Sequence, residues 1–298
     1  MKRKLGPKVR GLLMVAPPVL VIAIFVCLSI VSCVVYTFGY GGGINSTVSA
    51  IAIHQHLGFP TGSAYKSVLT DSEFLASLRA TIGVTLATTL GVVALAWYLA
   101  LWLRASNNKV AKAITALSVV PLFIPGVIGA YAILQFYAPN GFPRTIAEHL
   151  GWGSAPSFAY TLTGVVIGSV WGSLPFAVLM ITSGLGSVPD ALLDAARDVG
   201  AGGLRRFFSV ILPLTLIPTV IAATFTAIGT LGSFTLPYIV GPTAPAMLGP
   251  LMQDTYTSFF EPQQAEVMAV ALFVLALIAG VPYVWANFVT ARRSGASR

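Results

Sequence analysis

Six apolar runs decide what this chain can become. They lie at about residues 11–38, 80–103, 113–137, 159–186, 207–232 and 266–289, and each exceeds the roughly 20 residues a helix needs to cross a bilayer. In lipid no water satisfies backbone N–H and C=O groups, so apolar runs of this length must form spanning helices. The expectation is an all-α integral membrane protein with six transmembrane helices, forming one domain over residues 1–298. Charge content agrees. Only 9% of residues are charged, 56% are hydrophobic and the mean hydropathy is +0.85, whereas a soluble domain carries about a quarter charged residues. Cys27 and Cys33 both fall in the first run and read as buried apolar thiols, without a disulfide framework or metal set.

The first run follows MKRKLGPKVR, which looks like the basic front of a signal peptide. Its apolar stretch is longer than the ~7–15 residues of a cleavable signal core, so a retained first helix is expected. Pro17 and Pro18 should bend it, because proline removes a backbone donor. Placing the N-terminus in the cytoplasm puts 14 of the 17 Lys and Arg residues on that side, leaving only Lys66, Arg79 and Arg144 outside. This asymmetry is the positive-inside pattern, and it puts both termini in the cytoplasm. The net charge of +8 is therefore a topology signal. Nucleic-acid binding would need basic residues clustered on a soluble face with interleaved aromatics, and no segment reads that way. Trp102 and Trp285, near helix ends, read as interfacial anchors.

Several functions are excluded by what the chain lacks. No Gly-Lys dipeptide occurs, so no Walker A loop can cradle nucleotide phosphates. His54 and His56 stand two apart in an outside loop, but no Cys, acid or further His nearby completes a metal set; a solvated loop is expected. No ionisable residue sits at the middle of a run, where an ion-coupled secondary transporter needs one. That class is the alternative reading of a six-span chain. A third, a membrane-embedded enzyme, lacks a catalytic constellation. Gly164, Gly168 and Gly172 in the fourth run form two overlapping GxxxG spacings, which predicts close helix packing.

The charge-poor pattern is broken by DALLDAARDVGAGGLRRFFSVILPLTLIP, Asp190 to Pro218. Ser187-Val-Pro-Asp190 reads as a capping box, and the helix it opens, about 188–200, should end at Gly200. Leu192, Ala195, Ala196 and Val199 recur at helical spacing as one small, smooth apolar face, opposite Asp190, Asp194, Arg197 and Asp198. A helix this short is marginal alone in water. Interfacial helices set bulky apolar residues against Lys and Arg. Alanines flanked by acids instead suit insertion into a protein groove.

Asp194-Ala195-Ala196, three residues, Gly200, nine residues, then Val210-Ile211-Leu212-Pro213 resembles the EAA motif of ABC importer permeases. Asp194 stands for Glu and Val210 for Ile, and the position between the fourth and fifth of six spans also agrees. The resemblance implies a type I importer permease in a bacterial cytoplasmic membrane. Asp194, Ala195, Ala196 and Gly200 would then form a coupling helix docked on a separate ATPase subunit. It further implies a second permease, expected to be a different chain, two ATPase subunits that carry the ATP and Mg, and an extracytoplasmic solute-binding protein. This chain itself would hold no cofactor, no metal and no catalytic residue. Gly232-Ser233-Phe234-Thr235-Leu236-Pro237 followed by Gly241-Pro242 resembles the polyamine, ferric iron and phosphonate permeases of the same group. That resemblance makes Ser233, Phe234 and Pro237 the expected solute-pathway residues, with a sugar permease as the alternative.

Overall fold

Helices account for every regular element of the computed structural model, which describes residues 7–40, 59–106, 108–151 and 156–295. No strand occurs among the described residues. In chain order the helices are α1 (Pro7–Ile22), α2 (Leu28–Thr37), α3 (Ser63–Thr70), α4 (Ser72–Ala105), α5 (Lys109–Leu117), α6 (Gly126–Phe136), α7 (Phe142–His149) and α8 (Leu162–Gly186). There follow α9 (Asp190–Asp198), α10 (Gly203–Arg206), α11 (Leu212–Leu214), α12 (Leu216–Leu231), α13 (Thr235–Val240), α14 (Leu248–Thr257) and α15 (Pro262–Gly295). His54 and His56 lie outside the described residues. No group of three candidate metal ligands occurs among the described ones.

Four helical stretches are long and apolar enough to cross a membrane: Leu13–Thr37, Ser72–Ala105, Leu162–Gly186 and Pro262–Phe288. Two more candidates are bent pairs. Lys109–Phe123 meets Gly126–Phe136 at 115°, and Gly203–Leu214 meets Leu216–Leu231 at 75°. Counting each pair as one broken span gives six. The expected third run at 113–137 is therefore not a single helix. Pro125 forces Ile124 out of the helical region, to φ −98° and ψ 121°, and the chain turns there.

The fifth run breaks at Thr215 because Pro218 has no N–H for the Leu214 carbonyl. Thr215 donates its hydroxyl back to the Ile211 carbonyl at 2.7 Å, and Thr219 donates to Thr215 at 2.8 Å. Pro17 and Pro18, in contrast, sit inside α1 without interrupting it, and the irregular stretch is the π-helical Ala23–Cys27. Cys27 is exposed and Cys33 half-buried, against the expectation of two buried thiols; a helix bounded by lipid need not cover its apolar groups with protein.

The chain divides into two compact units, Met1–Asp71 with Met252–Ala271, and Ser72–Leu251 with Leu272–Arg298. In the first, Gln263 Nε2 donates to the Thr37 carbonyl at 3.2 Å, and Tyr65 Oη lies 2.7 Å from the Thr37 hydroxyl. These bonds tie α2, α3 and the start of α15. In the second, Val92, Ala96, Trp97 and Ala100 of α4 pack on Ala177, Val178, Ile181 and Leu185 of α8, with Ala222 of α12 closing the cluster. The alanines matter because small side chains let membrane helices approach closely. Trp97 meets Phe207 edge to face at 5.0 Å. At the other end of α4, Thr81 accepts from the Leu248 N–H at 2.9 Å, tying that residue to α4.

The GxxxG expectation is met most clearly at Gly168, where a Cβ would overlap Leu236 of α13. One on Gly164 would come within 3.1 Å of Val240 of α13 and would overlap the Phe158 carbonyl of its own preceding loop, whereas Gly172 faces open space.

Candidate functional site

The charged helix is α9, nine residues between the end of α8 and the turn into α10. Its start differs from the expected capping box. Pro189, in extended backbone at φ −64° and ψ 136°, occupies the N-cap, and Asp190 is already the first helical residue. Ser187 lies too early to cap α9. Its hydroxyl instead donates to the Gly184 carbonyl at 2.7 Å, closing α8.

The Asp190 carboxylate is taken by Arg104, the last basic residue of α4, at 2.7 Å. The same guanidinium donates to the Val188 carbonyl at 2.7 Å and to the Leu185 carbonyl. One side chain thus joins the end of α4, the end of α8 and the first residue of α9. Composition and periodicity gave no sign of it; the only signal was one basic residue at the end of an apolar run.

The far end of α9 is a Schellman closure. Gly200 has φ +76°, its N–H donates to the Arg197 carbonyl at 2.8 Å, and the Ala201 N–H donates to the Ala196 carbonyl at 3.0 Å. A Cβ at Gly200 would meet no neighbour within 4 Å. Glycine is therefore favoured there by backbone conformation alone. Between these ends, Leu192 and Val199 are exposed, Val199 by 80%, and Ala195 is exposed beside them. Ala196, expected on the same face, is half-buried together with Leu193. Asp194 is exposed and paired with Arg197 at 2.9 Å. Arg104, Asp190, Asp194, Arg197 and Arg206 also line a cavity of about 730 Å³ beside α9.

The three expected pathway residues do not converge. Ser233 lines a cavity of about 180 Å³ with Ser169, Trp171, Ser173 and Thr230, and no acid or base lines it. Phe234 is exposed and stacks on Tyr238 with ring centroids 5.1 Å apart. Pro237 is buried. Trp171, Ser169 and Ser173 went unremarked in the sequence because the GxxxG spacing around them already explained their segment as packing.

The described residues form an all-helical protein with four to six candidate membrane spans and one short charged helix between two of them. The family follows from a direct match: residues 87–295 fit the model of the binding-protein-dependent transport system inner membrane component. The chain belongs to this family, and is a multi-pass inner-membrane permease of the ABC transporter class. It is 26% identical to the sulfoquinovosyl glycerol transport system permease protein SmoG of Agrobacterium fabrum, over 94% of this chain and 90% of that one. It is 27% identical to the spermidine/putrescine transport system permease protein PotB of Escherichia coli, over 61% of this chain and 66% of that one. Among solved structures, a bacterial ABC transporter involved in the import of the acidic polysaccharide alginate matches with a TM-score of 0.69 at 15% identity, over 94% of both chains. This last likeness is one of fold.

Proposed function

We propose that this chain is the transmembrane subunit of an ATP-driven importer and forms half of a translocation pathway with a second, different permease chain. Both termini face the cytoplasm in this reading, which the Lys and Arg distribution supports. An extracytoplasmic binding protein delivers the solute, and two separate ATPase subunits carry ATP and Mg. The chain works as a single permease domain with no cofactor, metal or catalytic residue of its own. The observation that carries this reading is α9: a short helix with Leu192, Ala195 and Val199 open to the outside and a fixed turn at Gly200. Asp194, Ala195, Ala196 and Gly200 are the docking residues, with Ala195 on the open face and Ala196 supporting it from behind. Small residues there allow a groove on the ATPase to close around the helix.

For the solute, we infer a polyhydroxylated, sugar-type molecule. The cavity at Ser233 is uncharged: Ser169, Ser173, Thr230 and Trp171 are among its lining, and no acid or base is there to meet a charged solute. The similarity to the sulfoquinovosyl glycerol permease, which spans nearly all of both chains, supports the same choice. A polyamine, iron or phosphonate solute is the second reading, favoured by the Ser233–Pro237 stretch and by the partial similarity to PotB. Uptake into proteoliposomes holding the assembled transporter and its binding protein separates them. The sugar-type reading expects glycosyl glycerol uptake that spermidine does not inhibit; inhibition by spermidine would replace it with the second. The permease reading itself expects the purified chain alone to bind and hydrolyse no ATP and the ATPase to co-purify with it when co-expressed. ATPase activity in the pure single chain would overturn it.

A further inference from the structure

We propose that Arg104 is the positioning residue that makes α9 and α4 move as one body, so that displacement of the docking helix becomes displacement of a transmembrane helix. The inference rests on the docking role of α9 proposed above. A nine-residue helix is marginal on its own, and α9 leaves its apolar residues Leu192 and Val199 uncovered. Its links along the chain are the extended Pro189 on one side and the Ala201-Gly202 turn on the other. Both leave the helical conformation, so no continuous helix carries a push from α9 into the membrane. The ion pair within α9, Asp194 with Arg197, lies on the helix itself and is exposed on both sides, so it transmits nothing.

Arg104 does reach across. It lies at the end of a 34-residue helix, and its guanidinium contacts the Leu185 and Val188 carbonyls and the Asp190 carboxylate. A planar fork with several donors can serve three acceptors on different elements at once, which a lysine ammonium on a flexible stem cannot do with the same rigidity. The three contacts are unequal. The Arg104 side chain is 23% exposed and Asp190 86%, so the pair itself is a surface ion pair of small worth. The carbonyl bonds, charge-assisted and more shielded, supply most of the hold. Severity should therefore fall from Arg104→Leu through Arg104→Lys to Asp190→Asn.

Spin labels on Tyr98→Cys in α4 and Asp198→Cys in α9, in a Cys27→Ser, Cys33→Ser background, read the coupling directly. Both sites are exposed, and neither is among the hydrogen-bond or ion-pair partners of Arg104. The distance is measured in the permease alone and in the permease–ATPase complex, with and without ATP and Mg. With Arg104 present, one narrow distance unchanged by ATP is expected. With Arg104→Leu, the displaced population should rise about tenfold, the factor for losing a charge-assisted hydrogen bond, and ATP should shift the distance because α9 then moves without α4. Arg104→Lys should fall between and Asp190→Asn should match the parent. A narrow, ATP-insensitive distance in Arg104→Leu would overturn the proposal. So would a broad distance that ignores ATP, since Arg104 would then only staple the fold. If Arg104→Leu does not fold, Arg104→Lys is judged by the same two criteria. Failure of the parent chain to retain an ATPase would instead defeat the docking reading and the coupling with it, whereas a narrow distance in Arg104→Leu, measured in the permease alone, would overturn only the role of Arg104.

Discussion

At Gly200 the requirement is one of backbone conformation. With φ at +76° and no neighbour near a Cβ, Gly200→Val should cost about 1–2 kcal/mol through the left-handed conformation alone. Gly200→Asn should cost much less, because Asn tolerates that region. Thermal unfolding and ATPase co-purification of the two variants measure the difference; equal losses would place the requirement in space rather than in φ. Ala195 and Ala196 also separate. A tryptophan at exposed Ala195 should block ATPase docking while leaving thermal stability at the parent value, whereas one at half-buried Ala196 should lower both. An interfacial helix would gain from either, since Trp favours the headgroup region. Full ATPase retention in Ala195→Trp would make α9 a membrane-surface helix. The C-terminal glycine of α9 is legible in the sequence and has the positive φ such a position takes, yet helical spacing puts Ala195 and Ala196 on one open face. Neighbouring helical positions differ by 100° of rotation, enough for tertiary packing to turn one of them inward.

At the scale of elements, the apolar runs were legible because lipid imposes a single crude requirement on them. Their ends were less so. Helix α4 starts at Ser72, eight residues before its run, and α15 starts at Pro262, since helices continue past the hydrocarbon where backbone bonding still favours them. The breaks at Pro125 and Pro218 were written in the sequence but are invisible to hydropathy, which averages over them. Arg104 was illegible for a different reason: its partners are 81–86 residues away, and only the packing of α4 against α8 brings them near. The pair α5 and α6 raises a question that labelling answers. If the 115° pair is one broken span, Lys112→Cys should react only with a reagent on the cytoplasmic side and Pro139→Cys only with one outside. Reaction of both from one side would make the pair a re-entrant loop and lower the number of crossings.

For the whole molecule, ATP binding on the partner subunits should draw the two docking helices of the paired permeases together. A ligand shifts such an equilibrium only by its differential affinity for the two states, so a cross-link between residues at Val199 and the matching helix of the second permease should form faster with ATP. Equal yields with and without nucleotide would separate ATP binding from this motion. The two units into which the chain divides have no signature in the apolar pattern; the return of residues 252–271 to the N-terminal unit is a long-range pairing that no local pattern encodes.

The first spanning stretch has a consequence for how this chain tolerates change. Leu13–Thr37 holds the most apolar stretch of the four straight candidates, at hydropathy 2.9, and only 6% of that stretch is buried within this chain, against 44% of the corresponding stretch of Leu162–Gly186. Where the neighbours of a side chain are acyl chains, its shape is of little account and its transfer free energy is nearly all that counts. Val19, Phe25 and Leu28, each more than half exposed, are thus close to interchangeable with any other large aliphatic or aromatic residue. Ala177 and Ile181, fully buried in α8, are fixed in size by what surrounds them. Exchanges among large apolar residues at Val19, Phe25 and Leu28 should therefore leave membrane insertion and thermal stability at the parent level, whereas Ala177→Leu or Ile181→Ala should lower stability.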